Sequence, residues 1–214
     1  MIRVTIGKKK HYMPMVVNLA ERVYKSEDVS PLKKYYALFD KCPEAFIFAF
    51  DEQDKLVGYI ISLPLIKEYF PQTIKSDYTE QDLTLDKVKP YTRGNNYVYL
   101  FSIVSDLKHK DRHAIFKALS KAYINQLRQL AIDGKYVMES SAVALSPIGQ
   151  KICQIMRMQE VGVNPKGVVY HQPKFHKIFV DTKPEVKDMV RDNFVRHQKQ
   201  EREKERLLAQ KIPA

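Results

Sequence analysis

Apolar and polar positions along the chain recur at two periods. In residues 2–6, Ile2, Val4 and Ile6 are separated by Arg3 and Thr5, the two-residue period of a half-buried strand. From Met13 to Val23 the spacing changes. Met13, Val16, Val17, Ala20 and Val23 fall on one helical face, and Pro14 is tolerated in a first turn. Ser30-Pro31 has the form of an N-cap followed by a proline at the first helical position. It predicts a second helix through Leu32, Tyr35, Tyr36, Leu38 and Phe39, which Cys42-Pro43 stops.

Residues 45–50 and 56–65 are apolar runs joined by an acidic turn, the pattern of a hairpin of two central strands. Between residues 66 and 96 no long period survives, so this stretch reads as an insertion, either a functional loop or lid or a mobile segment. Residues 96–106 then predict a buried strand, with Tyr97, Tyr99, Phe101 and Ile103 on one face and Val98, Leu100, Ser102 and Val104 on the other. A basic link at 107–113 leads to a long helix at 114–132. A fifth strand is expected at 134–140, and Ser146-Pro147 opens a helix with Ile148, Ile152, Ile155 and Met156 on one face. Strand fragments follow at 160–162 and 167–170, with an edge strand at 175–181. From Pro184, the residues Val186, Met189, Val190 and Phe194 can pack one helical face, while 197–206 is nearly all charged or Gln and reads as a solvated helix or frayed tail.

Composition narrows the classes. With 44% hydrophobic and 29% charged residues, the 214-residue chain suits one substantial soluble core. The expected division is a body at 1–182 and a charged helix or tail at 183–214. No apolar run approaches a membrane span, and the first ten residues lack the order of a signal peptide, so a cytoplasmic protein without membrane attachment is expected. Cys42 and Cys153 form neither a disulfide framework nor a zinc pattern, and the histidines lack metal-ligand spacing. The net charge of +11 favours anionic ligands; nine basic and six acidic residues from Lys183 onward leave +8 on the body. The cations are interleaved with acids, which favours a solvated surface over a nucleic-acid stripe.

The hairpin at 45–65, with its acidic turn and second strand beginning Leu56-Val57-Gly58-Tyr59, resembles the hairpin that precedes the cofactor-binding strand of GNAT N-acetyltransferases. The order strand, helix, helix, three strands, helix, strand, helix, strand is similar to that family from Ile2 to about Val180. The resemblance implies an α/β fold: a mixed, mostly antiparallel central sheet with flanking helices, here with a C-terminal helical extension. It also implies an acetyl-CoA donor and an amine-bearing small molecule or protein as acceptor. The cofactor would lie where the fourth and fifth strands part. The strand backbone at Phe101, Ile103 and Val104 would pair with the pantetheine arm, and Lys108, His109, Lys110, Arg112, His113 and Ala114 would lie at the pyrophosphate.

The family turn of pattern Gln/Arg-x-x-Gly-x-Gly/Ala matches His109 to Ala114 with Arg112 in place of the central glycine. Arg112 swings out and pairs with phosphate, or it blocks the site, or the stretch is a basic surface turn that holds no ligand. In the family segment Tyr-x-x-x-Gly-Phe, Cys153 stands for the tyrosine, Arg157 for the glycine and Met158 for the phenylalanine. Tyr123 and Tyr136 are substitute acids, and Glu68, Asp77, Glu80 and Asp106 are carboxylates that could serve as base. The sequence singles out none of them. The alternative reading is a binding protein that keeps the fold without catalysis and uses its basic surface to hold nucleic acid or a protein; a homodimer is compatible with either.

Overall fold

The computed structural model describes residues 1–7, 9–175 and 184–209. The elements are β1 (Arg3–Ile6), α1 (Met13–Val23), α2 (Leu32–Lys41), β2 (Phe46–Phe50), β3 (Leu56–Leu65), β4 (Gly94–Ser105), α3 (Arg112–Ile132), β5 (Lys135–Ala144), α4 (Pro147–Ile155), β6 (Gln159–Val163), β7 (Val168–Gln172) and α5 (Pro184–Ala209). The described strands form a seven-stranded sheet in the order β1-β2-β3-β4-β5-β7-β6. Every neighbouring pair is antiparallel except β4 and β5, which the α3 crossover makes parallel.

Every residue of β2 and β3 is buried, because helices cover both faces. On one face Tyr12 and Phe39 pack against Phe48, and Tyr35 against Phe101. On the other, α3 comes down onto Gly58. A Cβ there would stand 2.9 Å from Ile115 Cγ2, 2.9 Å from Leu119 Cδ1 and 3.0 Å from the Val104 carbonyl oxygen. Gly58→Ala is therefore expected to destabilise by about 1–3 kcal/mol in denaturant unfolding, and Gly58→Val by more, because α3 must lift off the sheet. A Gly58→Ala protein as stable as the parent would refute this close packing.

Two features separate the structure from simple periodicity. Ile61 pairs with Ser102 and Ser62 with Leu100, so Phe101 is a bulge in β4. The bulge resets the alternation: Ser102 and Val104 share the face of Tyr99, and Ile103 turns to the α3 face. The expected separation of Tyr99 from Ser102 is thus corrected. Second, the β4–β5 ladder stops at Leu100↔Ala142, although β4 runs on to Ser105 and β5 to Ala144. Beyond that pair the two strands diverge.

Other expectations change as well. Ser30 does not cap α2; Pro31, in extended conformation, takes the N-cap position. Ser146 does cap α4, accepting the Gly149 N–H at 3.1 Å. In α4, Cys153 is the buried residue and Ile148 and Ile155 are exposed, because the helix overhangs the gap beside β5 instead of lying flat on the sheet. Arg157 ends α4 in the left-handed region (φ 55°), with the Met158 N–H bonded to the Cys153 carbonyl at 2.9 Å. The 66–96 stretch packs tightly: Phe70, Thr73, Tyr78, Leu83, Val88 and Tyr91 are buried, and Thr73 Oγ1 lies 2.6 Å from Ser141 Oγ. It forms a strap across β4, β5 and β7.

The charged C-terminal segment is anchored. His197 is buried, stacks on Tyr136 at 4.3 Å and 17°, and its Nε2 lies 2.6 Å from Asn95 Oδ1; Phe194 packs edge-on to the same ring. Burial lowers the His197 pKa and favours the neutral ring. The expected edge strand at 175–181 lies outside the described residues beyond Phe175, as do the side chains of Val186, Met189 and Val190. Among the described residues no helix is long and apolar enough to cross a membrane, and no group of three or more His, Cys, Asp or Glu side chains could hold a metal ion.

Candidate functional site

The turn from β4 to α3 is organised by Asp106. Its Oδ1 accepts the Lys108 N–H at 3.1 Å, its Oδ2 lies 3.1 Å from Arg22 Nη1, and its carbonyl accepts the His109 N–H at 3.1 Å. His109 closes the turn: its Nδ1 accepts the Asp111 N–H at 3.1 Å and its carbonyl the Arg112 N–H at 3.2 Å. Asp111 stands at the N-cap of α3 without capping it, and the first turn contains no acid. The N–H groups of Lys110, His113 and Ala114 are left without a protein acceptor among the described residues. A 21-residue helix thus ends on free amides at its positive pole, flanked by the exposed side chains of Lys108, Lys110, Arg112 and His113.

This turn borders two cavities. On one side, Lys108, His109 and Lys110 line a cavity of about 750 Å³ together with Asp51, Arg22 and Met1, where acids and cations are mixed. On the other, Leu107 and Phe116 lead into the gap between β4 and β5, a cavity of about 120 Å³. Its walls are Phe101, Ser102 and Ile103 on β4, Val143 and Ala144 on β5, and Ile152 and Cys153 on α4. Val104, by contrast, is buried in the ladder opposite Tyr59 and is absent from the lining.

A cluster of hydroxyls meets at the inner end of the cleft. Tyr24, at the end of α1, donates to the Ile103 carbonyl at 3.3 Å, and Ser102 Oγ donates to Tyr59 Oη at 3.3 Å. Burial pushes the Tyr24 hydroxyl up to about 12, against a hydrogen bond with Ser102. Glu80, carried in by the strap, accepts from Tyr99 Oη at 3.3 Å, and its backbone carbonyl accepts from Lys34 Nζ at 2.8 Å. Burial raises its carboxyl to about 7, opposed by Lys34 and the Tyr99 hydrogen bond. Glu80 also faces a third cavity, of about 280 Å³, with Glu27, Asp28, Lys34 and Lys166 in its wall. Asp28 pairs with Lys166 at 2.7 Å.

Of the four carboxylates that could serve as base, only Glu80 reaches the cleft. Glu68 and Asp77 are exposed on the strap, and Asp106 is held by Arg22 and the turn. The substitute tyrosines fare no better. Tyr123 is buried elsewhere, its hydroxyl unpartnered among the described residues, and Tyr136 packs under α5. Cys153 does line the cleft, and burial pushes its thiol up to about 12; an S–H is also a weaker hydrogen-bond donor than the Tyr24 hydroxyl in the same lining. Tyr24, Lys34, Asp28 and Ser102 were absent from the sequence-based candidates. They meet only through the bulge and the strap, which leave no local sequence signal.

No family model and no curated protein matches the chain by sequence. Solved structures do match in fold. The loading GNATL domain of CurA from Lyngbya majuscula is 14% identical, with 81% of this chain and 98% of that one covered and a TM-score of 0.58. The GphF GNAT-like decarboxylase, solved in complex with isobutyryl-CoA, is 10% identical over 81% and 98%, with a TM-score of 0.55. A mosquito arylalkylamine N-acetyltransferase like 5b is 12% identical over 80% and 98%, with a TM-score of 0.51. The chain is a divergent representative of the GNAT fold.

Proposed function

We propose that this chain is an acyl-coenzyme A-dependent N-acyltransferase, with acetyl-CoA as donor and a small or protein-borne amine as acceptor. The observation that carries the reading is the alignment of three features along one cleft: the uncapped N-terminus of α3 at its mouth, the strand divergence as its body, and Glu80 between it and an acid-lined cavity. The residues fit the cofactor. The Lys110, His113 and Ala114 amides, with Lys110 and Arg112, would hold phosphate, and the unpaired edge of β4 after Leu100 would receive the pantetheine arm. Bound acetyl-CoA supplies an activated thioester carbonyl.

The chain's own groups supply the rest. Glu27, Asp28 and Glu80 outnumber Lys34 and Lys166 around the third cavity, which favours a cationic amine over an anionic acceptor. Glu80 can take the ammonium proton and leave the amine nucleophilic, while the Tyr24 hydroxyl can donate to the departing sulfur. The walls of the two cavities orient the partners. Lys110→Ala and Arg112→Glu are each expected to weaken acetyl-CoA binding about tenfold by calorimetry, Arg112→Glu more, since it puts an anion at the phosphate. Unchanged affinity in both variants would mean that phosphate is not held at this turn.

A further inference from the structure

The cleft is lined in part by large apolar side chains that stay open to solvent. Val23, Leu107, Leu145 and Ile148 line it and leave 36%, 45%, 37% and 54% of their surface exposed. Ile155, two turns along α4 from Ile148, is 63% exposed. Clustered large apolar side chains rimmed by charge are the composition of a protein contact. Cations predominate on the rim: Lys108, Lys110 and Arg112 on the turn with Asp111 among them, Lys117 on α3 and Lys151 on α4, all exposed. Lys151 lies three residues from Ile148 and four from Ile155, so α4 presents the apolar and cationic groups on one face.

The phosphate capacity of the turn points the same way. The Lys110, His113 and Ala114 amides are free beside Lys110 and Arg112, and Asp106 is taken up by Arg22 and the Lys108 amide, so the turn can hold the phosphodiester of a pantetheine arm. The narrow cleft, about 120 Å³, accepts a thin chain.

We infer that the preferred acyl donor is an acidic protein bearing a phosphopantetheine thioester, its arm in the β4–β5 cleft and its acidic surface against α4 and the first turns of α3. The inference rests on the transferase reading and changes the carrier, not the chemistry: Glu80 takes one ammonium proton, the acyl–nitrogen bond forms as the acyl–sulfur bond breaks, and the second proton lost by nitrogen passes to the departing sulfur through the Tyr24 hydroxyl, so the arm leaves as a free thiol. Free acetyl-CoA shares the arm and binds more weakly.

The test uses the full chain and three probes: an acidic acyl carrier protein whose arm ends in a non-hydrolysable acetyl amide, the same carrier without its arm, and acetyl-CoA. The armed carrier is expected to bind about tenfold or more tightly than either other probe. The surface double variant Lys117→Glu/Lys151→Glu is expected to remove about tenfold of that affinity and leave acetyl-CoA binding within about twofold. Equal binding of armed and armless carrier, or a double variant that changes nothing, overturns the inference. So does a short DNA duplex that binds through the same two lysines while the carrier does not bind. If acetyl-CoA binds and the armed carrier does not, the inference falls and the transferase reading stands; if neither binds, both fall.

Discussion

Glu80→Gln is expected to lower kcat/KM about 10²- to 10⁴-fold, the range for loss of a positioned general base, while acetyl-CoA affinity stays close to that of the parent. The substitution keeps the side-chain shape and the acceptor for Tyr99 Oη. What it removes is a carboxyl that burial raises to about 7. The sign of the pH dependence follows. A base is active when ionised, so the rate should rise with pH through about 7 in the parent, and this limb should vanish in Glu80→Gln. Stability moves the opposite way. Because the folded pKa lies above the unfolded carboxylate value near 4.5, the native state binds the extra proton, and the stability Glu80 contributes at acid pH is lost as pH rises through about 7. Glu80→Gln should therefore melt higher than the parent above pH 7. A variant that retains its rate, or loses rate only together with stability, would remove Glu80 from the chemistry.

Tyr24→Phe is expected to reduce kcat by about 10²-fold or more with little change in cofactor binding. The hydroxyl lies in the cleft lining, donates to the Ile103 carbonyl, and is held protonated by burial, with its pKa up to about 12. It can deliver a hydrogen bond where charge develops on a leaving sulfur. The loss should be smaller for donors with more acidic leaving thiols, which need less help to depart, and comparison of two thioesters gives a readout that a structural role would not move. Equal losses with both thioesters, or none, would leave Tyr24 as a strut for Ile103.

How much of this was legible in the sequence differs by element. Met13–Val23 and Leu56–Leu65 declare themselves by period and apolar length, because both are set by burial of a continuous face. Ser146 declares the start of α4, since capping is a local interaction of one side chain with one turn. The bulge at Phe101 is silent, because it arises from mismatch between the β3 and β4 ladders and reverses which β4 side chains share a face. The anchoring of His197 is silent too. Its partners Asn95 and Tyr136 are distant in sequence, and one stacked ring is hidden among charged neighbours.

The site shows the same division. The basic turn at Lys108 to His113 stands out in sequence, but Asp106 reads there as a possible base. Only the fold reveals it as the clamp that ties Arg22 to the Lys108 amide. Glu80 was one carboxylate among four. The strap brings it to the strand divergence, and burial there raises its carboxyl to about 7, the range that the proposed base needs.

Binding of an acylated pantetheine thiol by the β4–β5 cleft and the α3 N-terminus together, as proposed, is tested by thermal unfolding with and without acetyl-CoA. At a hundred times its dissociation constant the ligand should stabilise the chain by about 2.7 kcal/mol, roughly 5–10 °C in Tm for a protein of this size, and Arg112→Glu should lose about half of that shift or more at the same concentration. No shift at millimolar acetyl-CoA, or an undiminished shift in Arg112→Glu, would contradict it.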